Sequence, residues 1–427
     1  MERNDVLYQQ YIAILNEELR PAMGCTEPIA LAYAGAKAKG LLGRLPEKIL
    51  VEVSGNIIKN VKSVVVPNTG GLHGIAAAVC AGVAVGKPEL QLEVISCVTE
   101  EERRFLAGFL KQTPVEIQPS TSDLIFDIDL HLFAGDDVAR VRIVNHHTNI
   151  VHMSKNGQVL LDLPVEESSE DHLTDKSCLC MEKIVEFADA LDIEDVRHTV
   201  GRQIRCNMDI AREGIQNNWG ANIGSVILRR QGQSVDRRAA AYAAAGSDAR
   251  MSGCEKPVII LSGSGNQGIT ASVPVAVFAE EMQVSEELLF KAVALSDLVT
   301  IHQKTGIGRL SAYCGAISAG CGAGAGIAYL HGGRFDAVAH TVVNAIAILS
   351  GTICDGAKPS CAAKIAAAVD AGILGYDMYL EHQQFYGGDG IITKGVDQTL
   401  TNVGRLAREG MRETDRTILK IMLDDPC

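Results

Sequence analysis

The spacing of apolar positions changes period twice along the chain. Residues 5–18 put Leu7, Tyr11, Ile14 and Leu15 on one face at helical spacing, so an amphipathic helix opens the chain. Pro21 and Gly24 end it. Thr26 suits the cap of a second helix with Pro28 in its first turn, which places Cys25 at or just before a helix N-terminus. From Lys48 the texture turns β-branched and alternating. KILVEVSGNIIKNVKSVVVPN, with Gly55-Asn56 as turn residues, predicts two strands. TGGLHGIAAAVCAGVAVG predicts a glycine loop entering a helix, a place where backbone N–H groups can hold a carboxylate. LQLEVISCV predicts a strand and residues 99–112 a helix. VEIQPS, LIFDIDLHLFAG, VARVRIVNHHTNIVHMSKNG and QVLLDL predict strands joined by hairpins.

EESSEDHLTDKSCLCMEK is acidic and polar and reads as a linker. Beyond Ile184 the spacing is helical throughout. SGSGNQG fails as a phosphate loop, since no GK[ST] follows, and reads instead as a break between two buried helices. Its backbone donors and Asn266 would face a small anion. The pattern predicts an α+β fold. An α/β unit over 46–166, with a mostly antiparallel sheet and helices on one face, is inserted into a mostly helical domain over 170–427. Residues 1–45 are expected to pack on the helical domain.

Composition sharpens this. At roughly 100–200 residues per domain, 427 residues predict two or three domains. Aromatics are 4% while glycines number 42, which favours helices in close contact through small residues. The net charge of −13 argues against a nucleic-acid groove or an anionic membrane surface as partner. No run reaches ~18 uninterrupted apolar residues; Thr341–Ile353 comes nearest and reads as a buried core helix. The first residues lack a signal-peptide pattern, and the cysteines lack the dense spacing of a disulfide scaffold. A reducing cytoplasm is the expected location. A homo-oligomer is left open.

Candidate chemistry concentrates between Tyr313 and Cys361, which hold Cys314, Cys321, Cys354 and Cys361. Converging thiolates select zinc or an iron–sulfur cluster. A free cysteine also behaves as a small hydrophobe and fills gaps in helices. Cys354 and Cys361, however, flank the loop-like DGAKPS, whose Asp355, Gly356 and Pro359 punctuate a turn. The spacing is neither that of a zinc ribbon nor that of a ferredoxin. Cys25, at a helix N-terminus, is expected to have a lowered pKa. Asn68, Thr69 and Gly70 could donate to a carboxylate, with His73 lining the same pocket. His302, Lys304 and Arg309 cluster ahead of Cys314, whereas His146, His147 and His152 read as surface residues.

YCGAISAGCGAGAG followed by TICDGAKPSC resembles the iron–sulfur L-serine dehydratase alpha chain family, and more closely its L-cysteine desulfidase branch. GCTEP, SGSGNQG and HQKTGIGRLSAYCG extend the resemblance over most of the chain. The resemblance implies that Cys314, Cys354 and Cys361, but not Cys321, hold a [4Fe–4S] cluster and that Cys25 is the catalytic base. It implies substrate contacts from Asn68, Thr69, His73 and Asn266. The expected reaction is β-elimination of L-cysteine to hydrogen sulfide, pyruvate and ammonia, with L-serine as the alternative substrate. A non-enzymatic iron–sulfur sensor is the alternative of another class. No persuasive lysine-and-phosphate-loop pair suggests pyridoxal phosphate. In the serine dehydratases a C-terminal cysteine folds back onto the open iron. Here Cys427 is the same residue type, but Asp424, Asp425 and Pro426 disfavour that approach, and a disordered tail is the default.

Overall fold

The computed structural model describes residues 1–122, 124–165, 173–308 and 311–424. In chain order the elements begin α1 (Val6–Glu18), β1 (Arg20–Met23), α2 (Thr26–Leu42), β2 (Lys48–Val53), α3 (Gly55–Val61), α4 (Gly74–Val85) and α5 (Glu100–Gln112). Five strands follow as β3 (Val115–Pro119), β4 (Asp127–Ala134), β5 (Asp137–Val144), β6 (Ile150–Lys155) and β7 (Gln158–Asp162). The remainder runs α6 (Met181–Ala190), α7 (Thr199–Gln216), α8 (Ile223–Gln231), α9 (Val235–Met251), β8 (Pro257–Ile260), α10 (Gly265–Met282) and α11 (Glu286–Ile307). It closes with α12 (Gly315–Leu330), α13 (Phe335–Leu349), α14 (Cys361–Leu380), α15 (Val396–Arg405) and α16 (Arg412–Asp424).

The fold is α+β, as the pattern predicts. A six-stranded sheet has the order β3-β2-β4-β5-β6-β7; only the β2–β3 pair is parallel. Alternation along β2 turns Ile49, Val51 and Val53 inward. They share a core with Ile128, Leu130 and Leu132 of β4, Val141 and Ile143 of β5, and the alanine-rich faces of α2 and α4. The second core is helical and lies around α12. That helix is buried on every face, the mark of a central helix, and packs on α10, α11, α13 and α14.

Several elements differ from the sequence reading. Helix α2 was expected on the helical domain together with α1, but its side chains belong to the sheet's core, and only α1 packs on the helices. Alanine-rich faces are equally suited to either surface, so pattern alone could not assign the partner. The second of the two strands predicted after Lys48 is instead α3, because Ile57, Ile58 and Val61 recur at helical spacing and are buried. LQLEVISCV is no strand: Pro88 opens a 3₁₀ turn over Pro88–Glu93, and Gln91 takes φ 50°. SGSGNQG lies between a strand and a helix, since β8 precedes it and pairs antiparallel with β1. Tyr8 takes the inward place in α1 expected of Leu7, and its hydroxyl donates to Asp195 Oδ2 at 2.7 Å. Of the predicted linker, residues 166–172 lie outside the described residues. No helix among the described residues is long and apolar enough to cross a membrane.

The β1–β8 pair positions the site. It joins Arg20–Met23 to Pro257–Ile260 across more than half the chain. Gly24 and Cys25, which follow β1, are thereby set against the end of α9, where Arg250 Nε donates to Gly24 O at 3.0 Å.

Candidate active site

Four helix N-termini face one cavity of about 110 Å³. Cys25 is the N-cap of α2, Cys314 the N-cap of α12, and Cys361 the first residue of α14. Asn266 and Gln267 come from the first turn of α10. All of these line the cavity, as does Cys354. The predicted cluster cysteines, the predicted base and Asn266 are therefore gathered in one place.

Local backbone chemistry places each thiol. Tyr313 and Ile353 form an isolated antiparallel bridge. Cys314 N–H donates to Thr352 O at 3.1 Å, and Cys354 N–H donates to Ala312 O at 2.6 Å. Two cysteines far apart in sequence are thus clamped side by side. After Cys354 the DGAKPS loop turns back. Asp355 is bound by Lys358, and Lys364 Nζ reaches it at 2.6 Å. Burial opposes its ionisation, but these bonds hold its carboxyl at about 2. Gly356 has φ 94°, and a Cβ there would fall 2.0 Å from Lys59 O, so glycine lets the loop lie against α3. The loop ends in α14, where Cys361 Sγ faces Gly356 O at 3.6 Å.

The electrostatics favour anions. Among the described residues the cavity is lined by Lys59, Arg250 and Lys304 against one carboxylate, Glu27, and Lys59 is paired outside it with Asp415. The four helix N-termini add their positive ends. Within the thiol set, Cys314 and Cys354 share a hydrogen bond. It pushes the Cys314 thiol up, together with burial, and draws Cys354 down against its burial, with help from Lys59 and Lys304. Cys361 is raised by burial. Thiolate character thus falls on Cys354.

Cys25 departs from expectation. Its position is the N-cap, with Thr26 already inside the helix. Yet its thiol is not activated by the helix end. Burial, then the Glu27 carboxylate, push its pKa well above that of an ordinary thiol, and Arg250 offsets only part. Cys25 Sγ donates to Glu27 Oε2 at 3.3 Å. Thr26 Oγ1 donates to the same oxygen at 3.1 Å, and Asn60 Nδ2 to Glu27 Oε1 at 3.1 Å. Cys25 is a thiol beside a fixed carboxylate.

Three predicted contacts lie elsewhere. Asn68, Thr69 and His73 are not among the cavity's lining residues. Asn68 takes φ 60° and its Nδ2 donates to Ile95 O at 2.9 Å. Thr69 Oγ1 donates to Val66 O at 2.7 Å. His73 is exposed at the start of α4 and bridges Val65. The Asn68 and Thr69 side chains are thus bonded to backbone carbonyls outside the cavity. His302 Nε2 pairs with Asp397 Oδ1 at 2.7 Å and is not a lining residue, whereas Lys304 lines the cavity; Arg309 lies outside the described residues. Cys321 sits two turns into α12, away from the cavity. Cys427 lies outside the described residues. The sequence reading missed Glu27, Lys59, Asn60, Arg250 and Gln267 as lining residues. Glu27 stands within GCTEP, where an acid two residues after Cys25 was there to be found. Nothing in the sequence near Arg250 pointed to this site.

The donor set bears on which metal group would fit. Cys314, Cys354 and Cys361 are three thiol donors around one cavity lined by cations, a soft donor set of the kind that holds an anionic iron–sulfur cluster.

Residues 89–420 match the family described as serine dehydratase alpha chain. A UPF0597 protein of Desulfitobacterium hafniense is 57% identical over 424 residues, covering 99% of each chain. A UPF0597 protein of Lachnoclostridium phytofermentans is 48% identical, covering 98% of this chain and 100% of its own. One of Bacteroides fragilis is 38% identical, covering 98% and 99%. The chain belongs to the serine dehydratase alpha chain family, in company with the UPF0597 proteins.

Proposed function

We propose that this protein is a lyase that catalyses β-elimination from a small 2-amino acid, with L-cysteine as substrate and hydrogen sulfide, pyruvate and ammonia as products. The observation that carries the reading is the single cavity in which Cys25 faces Cys314, Cys354 and Cys361. Cys314, Cys354 and Cys361 would hold a [4Fe–4S] cluster. When bound, that cluster supplies a Lewis acid for the leaving group.

The chain's own residues do the rest. Cys25, as thiolate, takes the α-proton of the substrate, and Glu27, bonded to the Cys25 thiol, fixes its orientation. The electron pair of the Cα–H bond forms the Cα=Cβ bond as the Cβ–S bond breaks, and the sulfur leaves as sulfide. The resulting 2-aminoacrylate tautomerises to an imine, and water converts it to pyruvate and ammonia. Burial of Cys25 at 3% exposure keeps bulk water from the base during proton transfer. The eleven described cysteines are free, which suits a reducing compartment, and the cytoplasm is the proposed location.

Membership in the serine dehydratase alpha chain family favours one second reading, elimination of water from L-serine. Anaerobic turnover of both amino acids by cluster-loaded protein decides between them. A higher kcat/KM for L-cysteine supports the first reading, and a higher value for L-serine the second. A cluster without turnover of either would make the protein a sensor.

A further inference from the structure

We propose that Arg250 binds the α-carboxylate of the substrate and that Gln267 accepts a hydrogen bond from its α-amino group; this rests on the elimination reading above. Arg250 is only 3% exposed, yet it has no ion pair among the described residues. Its recorded partners are neutral: Nε donates to Gly24 O at 3.0 Å and Nη1 to Asn266 Oδ1 at 3.1 Å. A buried cation without an anion is costly. Its position adds to the cost, because it lies across the first turn of α10, where the helix end is itself positive. Room for it is made by Gly265, at which a Cβ would fall 2.3 Å from Arg250 Nε. An anion in the cavity would be met by both the guanidinium and the helix end.

On the elimination reading the cavity would take two anions, the cluster and the substrate carboxylate, and geometry separates their places. Lys59 lies against the loop that follows Cys354, where a Cβ at Gly356 would fall 2.0 Å from its carbonyl oxygen, and its ammonium is paired with Asp415. Arg250 is tied to the carbonyl of Gly24, the residue before Cys25. The α-carboxylate is one bond from the carbon whose proton Cys25 removes, so the group that holds it belongs beside Cys25. Gln267 supplies the complementary half. It lines the cavity, is 4% exposed, and its Oε1 has no hydrogen-bond partner among the described residues. A buried acceptor left open beside a cation matches the ammonium next to a carboxylate.

The test uses cluster-loaded full-length protein and two half-substrates as competitive ligands. 3-Mercaptopropionate keeps the thiol and carboxylate; cysteamine keeps the thiol and amine. In Arg250→Gln the KM for L-cysteine should rise roughly 10- to 100-fold with the cluster spectrum unchanged. By calorimetry 3-mercaptopropionate should weaken by a similar factor, and cysteamine by less than about threefold. Gln267→Leu should give the opposite selectivity. Gly265→Ala, which crowds the guanidinium without removing it, should repeat the Arg250→Gln pattern and stands in should that variant not fold. A KM within threefold of wild type, or equal weakening of both half-substrates, overturns the proposal. Failure of wild type to turn over any amino acid would instead sink the elimination reading, while the calorimetric selectivity would still report on Arg250.

Discussion

Cys314 and Cys354 are fastened to each other's strand of backbone: Cys314 N–H bonds Thr352 O at 3.1 Å, and Cys354 N–H bonds Ala312 O at 2.6 Å. The pair is therefore built by main chain, and side-chain substitution should leave the scaffold standing. Replacing Cys314, Cys354 or Cys361 by serine should remove most of the visible absorption of a reconstituted cluster while far-ultraviolet circular dichroism stays unchanged. Cys321→Ser should keep the full spectrum. Full cluster retention in Cys354→Ser would sink the ligand assignment.

Cys25→Ala should preserve the fold and cluster and lower kcat by roughly 100-fold or more, the usual worth of a positioned acid–base group. Activity within threefold of wild type would make Cys25 structural and move the base elsewhere.

The pH profile carries a separate prediction. The thiol of Cys25 is raised by burial and by Glu27. A base with a raised pKa gains activity as pH rises, so the acid limb of kcat/KM should lie above the ~8.5 of an ordinary thiol. Glu27→Gln removes a negative neighbour, favours the thiolate and should move that limb to lower pH. A limb that stays in place, or moves up, would show that Glu27 does not act on Cys25.

Asp297 predicts a pH dependence of stability away from the chemistry. It is fully buried on α11, its Oδ1 accepts from Gln203 Nε2 at 2.9 Å, and burial pushes its carboxyl up to about 8. A carboxyl raised on folding contributes stability that is complete below its unfolded value near 4 and is lost as pH rises through the folded value. Asp297→Asn should flatten that loss and gain on the order of a few kcal/mol at pH 9 relative to wild type. Denaturant melts at pH 5 and pH 9 measure it. Parallel losses in both proteins would contradict the assignment.

The parts of the site legible in the sequence were those with rare chemistry. Thiols around a Gly/Pro loop announce convergence, and Pro28 after Gly24 marks a helix start at Cys25. What escaped were groups whose role arises only in three dimensions. Arg250 reaches Gly24 across 226 positions, through a β1–β8 pair that four-residue strands scarcely announce. Lys59 lies in a β-branched stretch that reads as strand but folds as α3. Asn68, Thr69 and His73 misled because a glycine-rich turn looks alike whether it binds a ligand or binds itself. Asn68 satisfies its side chain on Ile95 O. The same ambiguity hid the partner of α2, since small residues pack on sheets and helices alike.

The central claim is that the thiols around this cavity serve a β-elimination. The most direct measurement is anaerobic reconstitution with iron and sulfide, followed by sulfide and pyruvate release from L-cysteine in wild type and Cys354→Ser. The expected result is a brown protein that releases sulfide and pyruvate in equal amounts, with colour and turnover lost together in the variant. Turnover that survives in colourless Cys354→Ser, or a full cluster that turns over neither L-cysteine nor L-serine, would contradict it.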